Sequence, residues 1–308
     1  MSDGDVAGRG PDDERWARAA LCRCTPPGEQ RIAASLVDSG GAVTLRRLGA
    51  IRSGLLVPSE VDADLERLAA LGGRLVIPGD DEWPLRVDEL ARETFVRARE
   101  IAQPYALWVR GPQHLAEVTD RSVAIVGMRA SSPYGELVAS ELASGLAGRG
   151  WCVVSGGAFG IDAAAHRGSL AVGGPTVAVL AGGPDQLYPR SNEQLLERIV
   201  TSGLLVSELP PGFESRKERF LSRNRIVAAL TRGTVVVEAN LRSGALNTAA
   251  HARALARPVC AVPGRITGVE SRGAHDLLRR HEGSRLVTSV DEVLEEVGPI
   301  GETLAFER

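Results

Sequence analysis

Apolar and polar positions divide the chain into two unlike parts. Between residue 12 and about residue 70 the apolar spacing is helical: Trp16, Ala19 and Ala20, then Ile32, Ala33, Leu36 and Val37, then Leu65, Leu68 and Leu71. Breaks at Pro26-Pro27-Gly28, Gly40-Gly41 and Val57-Pro58 separate these pieces, which predicts a small all-helical bundle. Short β-prone runs at 75–77 and 106–109 lead into the larger part. From Arg121 onward, apolar runs at 123–126, 152–154, 176–180, 204–206, 235–237 and 259–262 alternate with helical spacing near 134–148, 161–172, 192–200, 218–230, 245–256 and 273–281. Runs that are apolar throughout suit strands buried on both faces, and the alternation is that of βαβ units. Right-handed crossovers turn such units into an α/β, doubly wound, mostly parallel sheet that takes its ligands beyond the carboxyl ends of the strands. An amphipathic helix over 290–297 closes the pattern. The expected organisation is a disordered leader over 1–12, a helical domain with connector over 13–105, an α/β domain over 106–298 and a tail over 299–308.

Composition narrows the class. With 44% hydrophobic and 24% charged residues among 308, the chain has the balance of a globular protein rather than a fibrous or disordered one. The acidic leader lacks the apolar segment of a secretory signal, and no apolar run reaches transmembrane length. A cytoplasmic protein without membrane association is therefore expected. Cys22, Cys24, Cys152 and Cys260 read as reduced thiols; one C-x-C without neighbouring histidines predicts no metal site, and no cofactor is expected. A net charge of -3 rules out a general basic coat, so any anion site must be local.

Candidate chemistry sits where the strands end. The first run opens into Gly127-Met128-Arg129-Ala130-Ser131-Ser132-Pro133, where Ser132 is a good N-cap and Pro133 suits the first helical position. Free amides at such a helix start attract phosphate, and Arg129 can add a bidentate contact. The second run ends in Ser155-Gly156-Gly157-Ala158-Phe159-Gly160-Ile161-Asp162, a second glycine-rich loop that opens a helix carrying His166. Adjacent strands would set these two loops side by side as paired anion cradles. Neither the dinucleotide fingerprint nor the P-loop motif is present. Asp162 and His166, four apart on one helical face, read either as an acid-base pair or as a structural hydrogen bond. The segment Glu238 to Thr248 presents a carboxylate at a strand end, which serves either catalysis or the bracing of its own loop through the Ser243 and Gly244 amides. No nucleophile elbow, paired carboxylates or histidine-rich metal motif accompanies it, so enzymatic chemistry has little support.

The fourth strand feeds directly into Arg216-Lys217-Glu218-Arg219-Phe220-Leu221-Ser222-Arg223-Asn224-Arg225, which contains the only lysine of the chain. Five cations and one carboxylate in ten residues either form the solvated face of a helix or serve a phosphate backbone, with Phe220 offered to an unstacked base. Its place after a strand puts it on the same sheet edge as the glycine loops, which favours the second reading.

Taken together, these loops resemble the DprA/Smf family of DNA-processing proteins. Its motifs are met in Gly127-Met128-Arg129 through Gly135, Ser155 through Asp162 with His166, Tyr188-Pro189 with Asn192, Ser207-Glu208, Phe220 with Arg223-Asn224-Arg225-Ile226, Glu238-Ala239 with Ser243-Gly244, and Val262-Pro263-Gly264. Met128 stands where the family often has serine. The resemblance implies an extended Rossmann-like domain with a small sterile-alpha-motif-like helical domain before it. It further implies a homodimer that binds and protects single-stranded DNA and loads the RecA recombinase onto it during natural transformation and homologous recombination, with no reaction catalysed. The expected DNA-binding residues are Arg129, Ser131, Ser155, Gly156, Gly157, Gly160, Lys217, Arg219, Phe220, Arg223, Asn224 and Arg225. Asp162, His166, Glu238, Ser243 and Gly244 are expected to support the loops. The rival reading is a nucleotide-binding Rossmann enzyme that cleaves the N-glycosidic bond of nucleoside monophosphates, since similar sheets carry Gly-Gly loops beside a carboxylate.

Overall fold

The computed structural model describes residues 10–92 and 102–298. The expected leader up to residue 9, the tail over 299–308 and residues 93–101 of the connector lie outside the described residues. Helices α1 (Glu14–Cys24), α2 (Gln30–Leu48) and α3 (Pro58–Ala70) form the N-terminal layer. Asp13 caps α1 by accepting from the Trp16 amide. Gly40 kinks α2 because its φ of 76° lies in the left-handed region open to glycine. Strand β1 (Gly73–Val76), the short α4 (Glu89–Arg92), β2 (Leu107–Arg110) and α5 (Leu115–Asp120) follow. Strand and helix then alternate: β3 (Ser122–Val126), α6 (Pro133–Ala147), β4 (Cys152–Ser155), α7 (Ile161–Ala171), β5 (Thr176–Val179), α8 (Glu193–Ser202), β6 (Leu204–Ser207), α9 (Lys217–Leu230), β7 (Gly233–Val236), α10 (Gly244–Ala254), β8 (Val259–Ala261), α11 (Arg272–Arg280), β9 (Ser284–Leu286) and α12 (Val290–Val297).

Among the described residues nine strands form one sheet in the order β1-β2-β6-β5-β4-β3-β7-β8-β9. Strands β3 to β9 are mutually parallel where they pair, while β2 is antiparallel to both β1 and β6. The sheet is thus α/β, doubly wound and mostly parallel. Both faces are covered, as the continuous apolar runs require: along β3, Ala124 and Val126 face one core with Ile226 and Ala249, and Val123 and Ile125 face another with Leu142 and Ile161. A third core unites α1 to α3 with Leu75 and Trp108 of the first two strands. The runs near 75 and 106 therefore extend the main sheet rather than merely leading to it. Strand β9, with no apolar run of its own, joins the opposite edge.

From β3 the chain steps outward through β4, β5 and β6, then returns across the sheet to β7 on the other side of β3. The loops after β3 and β7 leave in opposite directions at this switch point and open a crevice at the carboxyl ends of the strands.

Candidate nucleic-acid interface

The first loop, after β3, is braced from across the sheet. Ser132 caps α6, its hydroxyl oxygen accepting from the Gly135 amide at 3.1 Å. The Ser132 amide donates to Glu238 Oε2 at 2.9 Å, and its hydroxyl donates to Glu238 Oε1. Gly135 has to be glycine because a Cβ there would lie 2.3 Å from the Glu238 carboxyl carbon. Glu238 thus occupies the anion seat at the start of α6, where the partial positive charge of the helix favours a carboxylate. This corrects the expectation that its partners are the Ser243 and Gly244 amides; the Ser243 amide donates to Asn240 O, and its hydroxyl caps α10 at Ala245. Ser131 is not among the residues that line the crevice, and its hydroxyl donates to Glu136 at 2.8 Å.

The second loop, after β4, is filled in the same way. Buried Asp162 accepts from the Gly156 amide at 3.2 Å and the Ala158 amide at 3.4 Å. Burial pushes its carboxyl pKa up, against the pull of the Arg223 charge and these amides. His166 does not pair with Asp162: its Nδ1 lies 2.7 Å from the Thr176 hydroxyl, which itself donates to Val153 O. Nδ1 is therefore the protonated nitrogen, and burial, reinforced by Arg223 and Arg167, lowers the imidazole pKa to about 3 and keeps the ring neutral. The Ser155 hydroxyl is buried and donates to Ile125 O at 2.6 Å, tying β4 to β3 instead of facing a ligand. Gly160, with φ 72°, lets the two loops touch, since a Cβ there would lie 2.4 Å from Met128 O. Asn192 supports Gly157 and Ala158 by donating to both carbonyls at 3.1 Å. Of the amides expected to cradle phosphate, those of Ser132, Gly156 and Ala158 are consumed by the protein's own carboxylates.

Helical phase sorts the basic stretch into two faces. Lys217, Phe220, Leu221, Asn224 and Val227 turn to the crevice. Arg225, by contrast, is fully buried: it donates to both Glu208 oxygens, at 2.8 and 2.5 Å, and to Ala102 O at 2.7 Å. Its placement corrects the expectation of DNA contact, because a guanidinium enclosed in this way has no donor to offer a phosphate. Arg219 also lies off the crevice, over the Phe213 ring at 5.3 Å. Arg223 sits at the crevice wall, 7% exposed, and donates to Gly156 O at 2.8 Å and to Val179 O. Burial pushes its pKa down to about 10, so it stays charged at neutral pH while bracing the second loop. The Asn224 amide donates to Gly244 O and to Asn247 Oδ1, both at 3.2 Å, linking α9 to α10.

What remains open is a cleft of about 800 Å³ at the switch point. Arg129, Lys217 and Arg242 line it, and no carboxylate oxygen of a described residue lies within 4.0 Å of their charged nitrogens. Asp162, already engaged, is the one carboxylate among the described lining residues. The Arg129 guanidinium stacks over Phe220 at 4.6 Å, and the Tyr188 ring lies 5.9 Å from Phe220 at 54°. Asn240, Asn247 and Thr248 add neutral polar groups to the facing wall beside Arg242. Tyr188 and Arg242 were not among the expected DNA-binding residues: the first entered only as part of a family motif, the second is a lone arginine. The position of each after a strand was the available signal.

Sheet order and cleft together define a Rossmann-like α/β protein with a cationic, aromatic-lined crevice at its topological switch point. Residues 74–298 match the family model for DNA recombination-mediator protein A, and the chain belongs to that family, DprA/Smf. It is 51% identical over 290 residues to the putative DNA processing protein DprA of Mycobacterium tuberculosis, covering 92% of this chain and 72% of that one. With DprA of Streptococcus pneumoniae it shares 42% identity over 193 residues, 63% of this chain and 67% of the relative. The X-ray structure of the pneumococcal protein superposes with a TM-score of 0.74 at 29% identity, covering 91% of this chain and 96% of the other. DNA processing protein A of Helicobacter pylori, whose structure addresses its single-stranded DNA binding mode, superposes with a TM-score of 0.61 at 28% identity over 72% of this chain and 94% of the other. Among the described residues no helix is long and apolar enough to cross a membrane, and no cluster of side chains suited to a metal ion occurs.

Proposed function

We propose that this protein binds single-stranded DNA in the switch-point cleft. The observation that carries this reading is the set of unpaired cations, Arg129, Lys217 and Arg242, around the Phe220 and Tyr188 rings. Phosphates engage the cations, and an unpaired base stacks on the aromatic pair, a contact worth about 1–3 kcal/mol that a base inside a duplex does not offer. Because three amides of the glycine loops are occupied, side chains supply the main anion contacts, and the loops act as rigid walls that hold Arg129 in place. The Helicobacter pylori relative, described for its single-stranded DNA binding mode, supports the same ligand here.

Family membership extends the reading further: a cytoplasmic homodimer protects the strand and loads RecA onto it in transformation and recombination, without catalysing a reaction. The carboxylates agree with a binding role, since Glu238 is held by Ser132 and Asp162 by two amides, which leaves neither free to act on a glycosidic bond. Fluorescence anisotropy with a labelled oligonucleotide tests the binding reading; Arg129→Ala with Lys217→Glu should weaken single-strand affinity, and unchanged binding refutes the site. Release of free base from nucleoside monophosphates would overturn the non-enzymatic role.

A further inference from the structure

The face of α9 opposite the cleft is fastened to the N-terminal helices at two points, although no described residue before Val126 lines the cleft. At the first, the turn between α1 and α2 lies directly on Arg225. Gly28 has φ 70°, and a Cβ there would come within 2.8 Å of Arg225 Nη2, so only glycine lets the turn approach the guanidinium so closely. Tyr105 fixes that turn, its hydroxyl donating to Pro26 O and accepting from the Glu29 amide, each at 3.1 Å. At the second, the Phe213 ring, in the loop before α9, is shared by the guanidinium groups of Arg23 of α1 at 5.8 Å and Arg219 of α9 at 5.3 Å. Arg23 is itself held by Glu60 and Asp64 of α3, so the clamp reaches through the helical layer.

We infer that Phe213 is a positioning residue through which the N-terminal helices hold the first two turns of α9 in the conformation that presents Lys217 and Phe220 to DNA. This rests on the reading of the cleft as a single-strand site. Arg216 and Lys217 begin α9 without a side-chain cap on the helix start, and the loop before it is held by Asp185 at the Gly212 amide, by the Gly183 amide on Phe213 O, by Arg219 on Glu214 O and by this ring, the one of these contacts that reaches the N-terminal helices. Without the clamp the first turns sample other orientations, and affinity falls in proportion to the fraction still correctly placed. Each guanidinium over a ring is a modest attraction, so losing both lowers affinity about tenfold.

The test compares Phe213→Ala, Phe213→Tyr and the unchanged protein by amide hydrogen exchange of the DNA-free chain and by oligonucleotide anisotropy across a salt series. Phe213→Ala should speed exchange over residues 221–224 and weaken binding about tenfold, with the salt slope unchanged because the bound state makes the same phosphate contacts. Phe213→Tyr keeps a ring for both guanidinium groups and should restore both properties. Unchanged exchange in Phe213→Ala overturns the clamp, as does a reduced salt slope, which would make Phe213 a neighbour of the DNA itself. If the unchanged protein fails to bind oligonucleotide, the functional reading falls, while the exchange measurement still decides the clamp.

Discussion

Replacing Lys217 with glutamine isolates the phosphate term of DNA binding. Lys217 stands exposed in the first turn of α9 and has no carboxylate partner among the described residues. Removing a cation from a helix start does not harm the helix, because the dipole disfavours positive charge there. The change in affinity then reports on DNA alone. Among the described residues three cations without a carboxylate partner line the cleft, and each phosphate contact to a single strand contributes about -0.7 to the slope of log affinity against log salt, for a total of about -2. Between about 50 and 200 mM salt the unchanged protein should lose about 20-fold in affinity, and Lys217→Gln only about sevenfold, its slope having fallen to about -1.4. Arg223 is left out of this count because its guanidinium is engaged by Gly156 O and Val179 O. Anisotropy titrations of one labelled oligonucleotide at several salt concentrations measure both slopes. Equal slopes for the two proteins would show that Lys217 meets no phosphate and would refute the placement of the strand.

Phe220→Ala should cost about 1–3 kcal/mol of single-strand binding with little change in salt slope, as titrations of the same oligonucleotide would reveal; it should also narrow the preference over duplex. Arg225→Met leaves buried Glu208 without its partner and should lower stability by about 3–5 kcal/mol in denaturant melts, with much of the loss recovered by Arg225→Met combined with Glu208→Leu. His166, with its pKa lowered to about 3 from the usual 6.5, binds its proton more readily when the chain unfolds. Stability supplied by the neutral ring is therefore complete above the unfolded pKa and declines as pH falls through about 6.5, by about 1.4 kcal/mol per pH unit for this group. Urea melts between about pH 7.5 and 5 should show a shallower decline in His166→Gln than in the unchanged protein.

The six central strands were legible because a strand buried on both faces needs an unbroken apolar run, and β3 to β8 each carry one. Strand β9 was not, since two of the three residues in Ser284-Arg285-Leu286 are polar and the segment becomes a strand only because β8 offers an open edge. Likewise, the short runs of β1 and β2 gave no sign of their antiparallel pairing, which depends on contacts between segments far apart in sequence. The glycine loops were recognisable, but their occupants were not equally so. Asp162 lies within its own loop's reach, whereas Glu238 reaches Ser132 across 106 residues. Within the basic stretch the residue types are alike, and only the helical phase separates Lys217 at the cleft from Arg225 in the interior.

The central claim is that unpaired cations and an aromatic pair at the switch point take a single strand. A titration of matched single-stranded and duplex oligonucleotides at two salt concentrations tests it most directly. The account predicts tighter binding of the single strand, with an affinity that falls steeply as salt rises; equal or tighter binding of the duplex, or an affinity indifferent to salt, would contradict it.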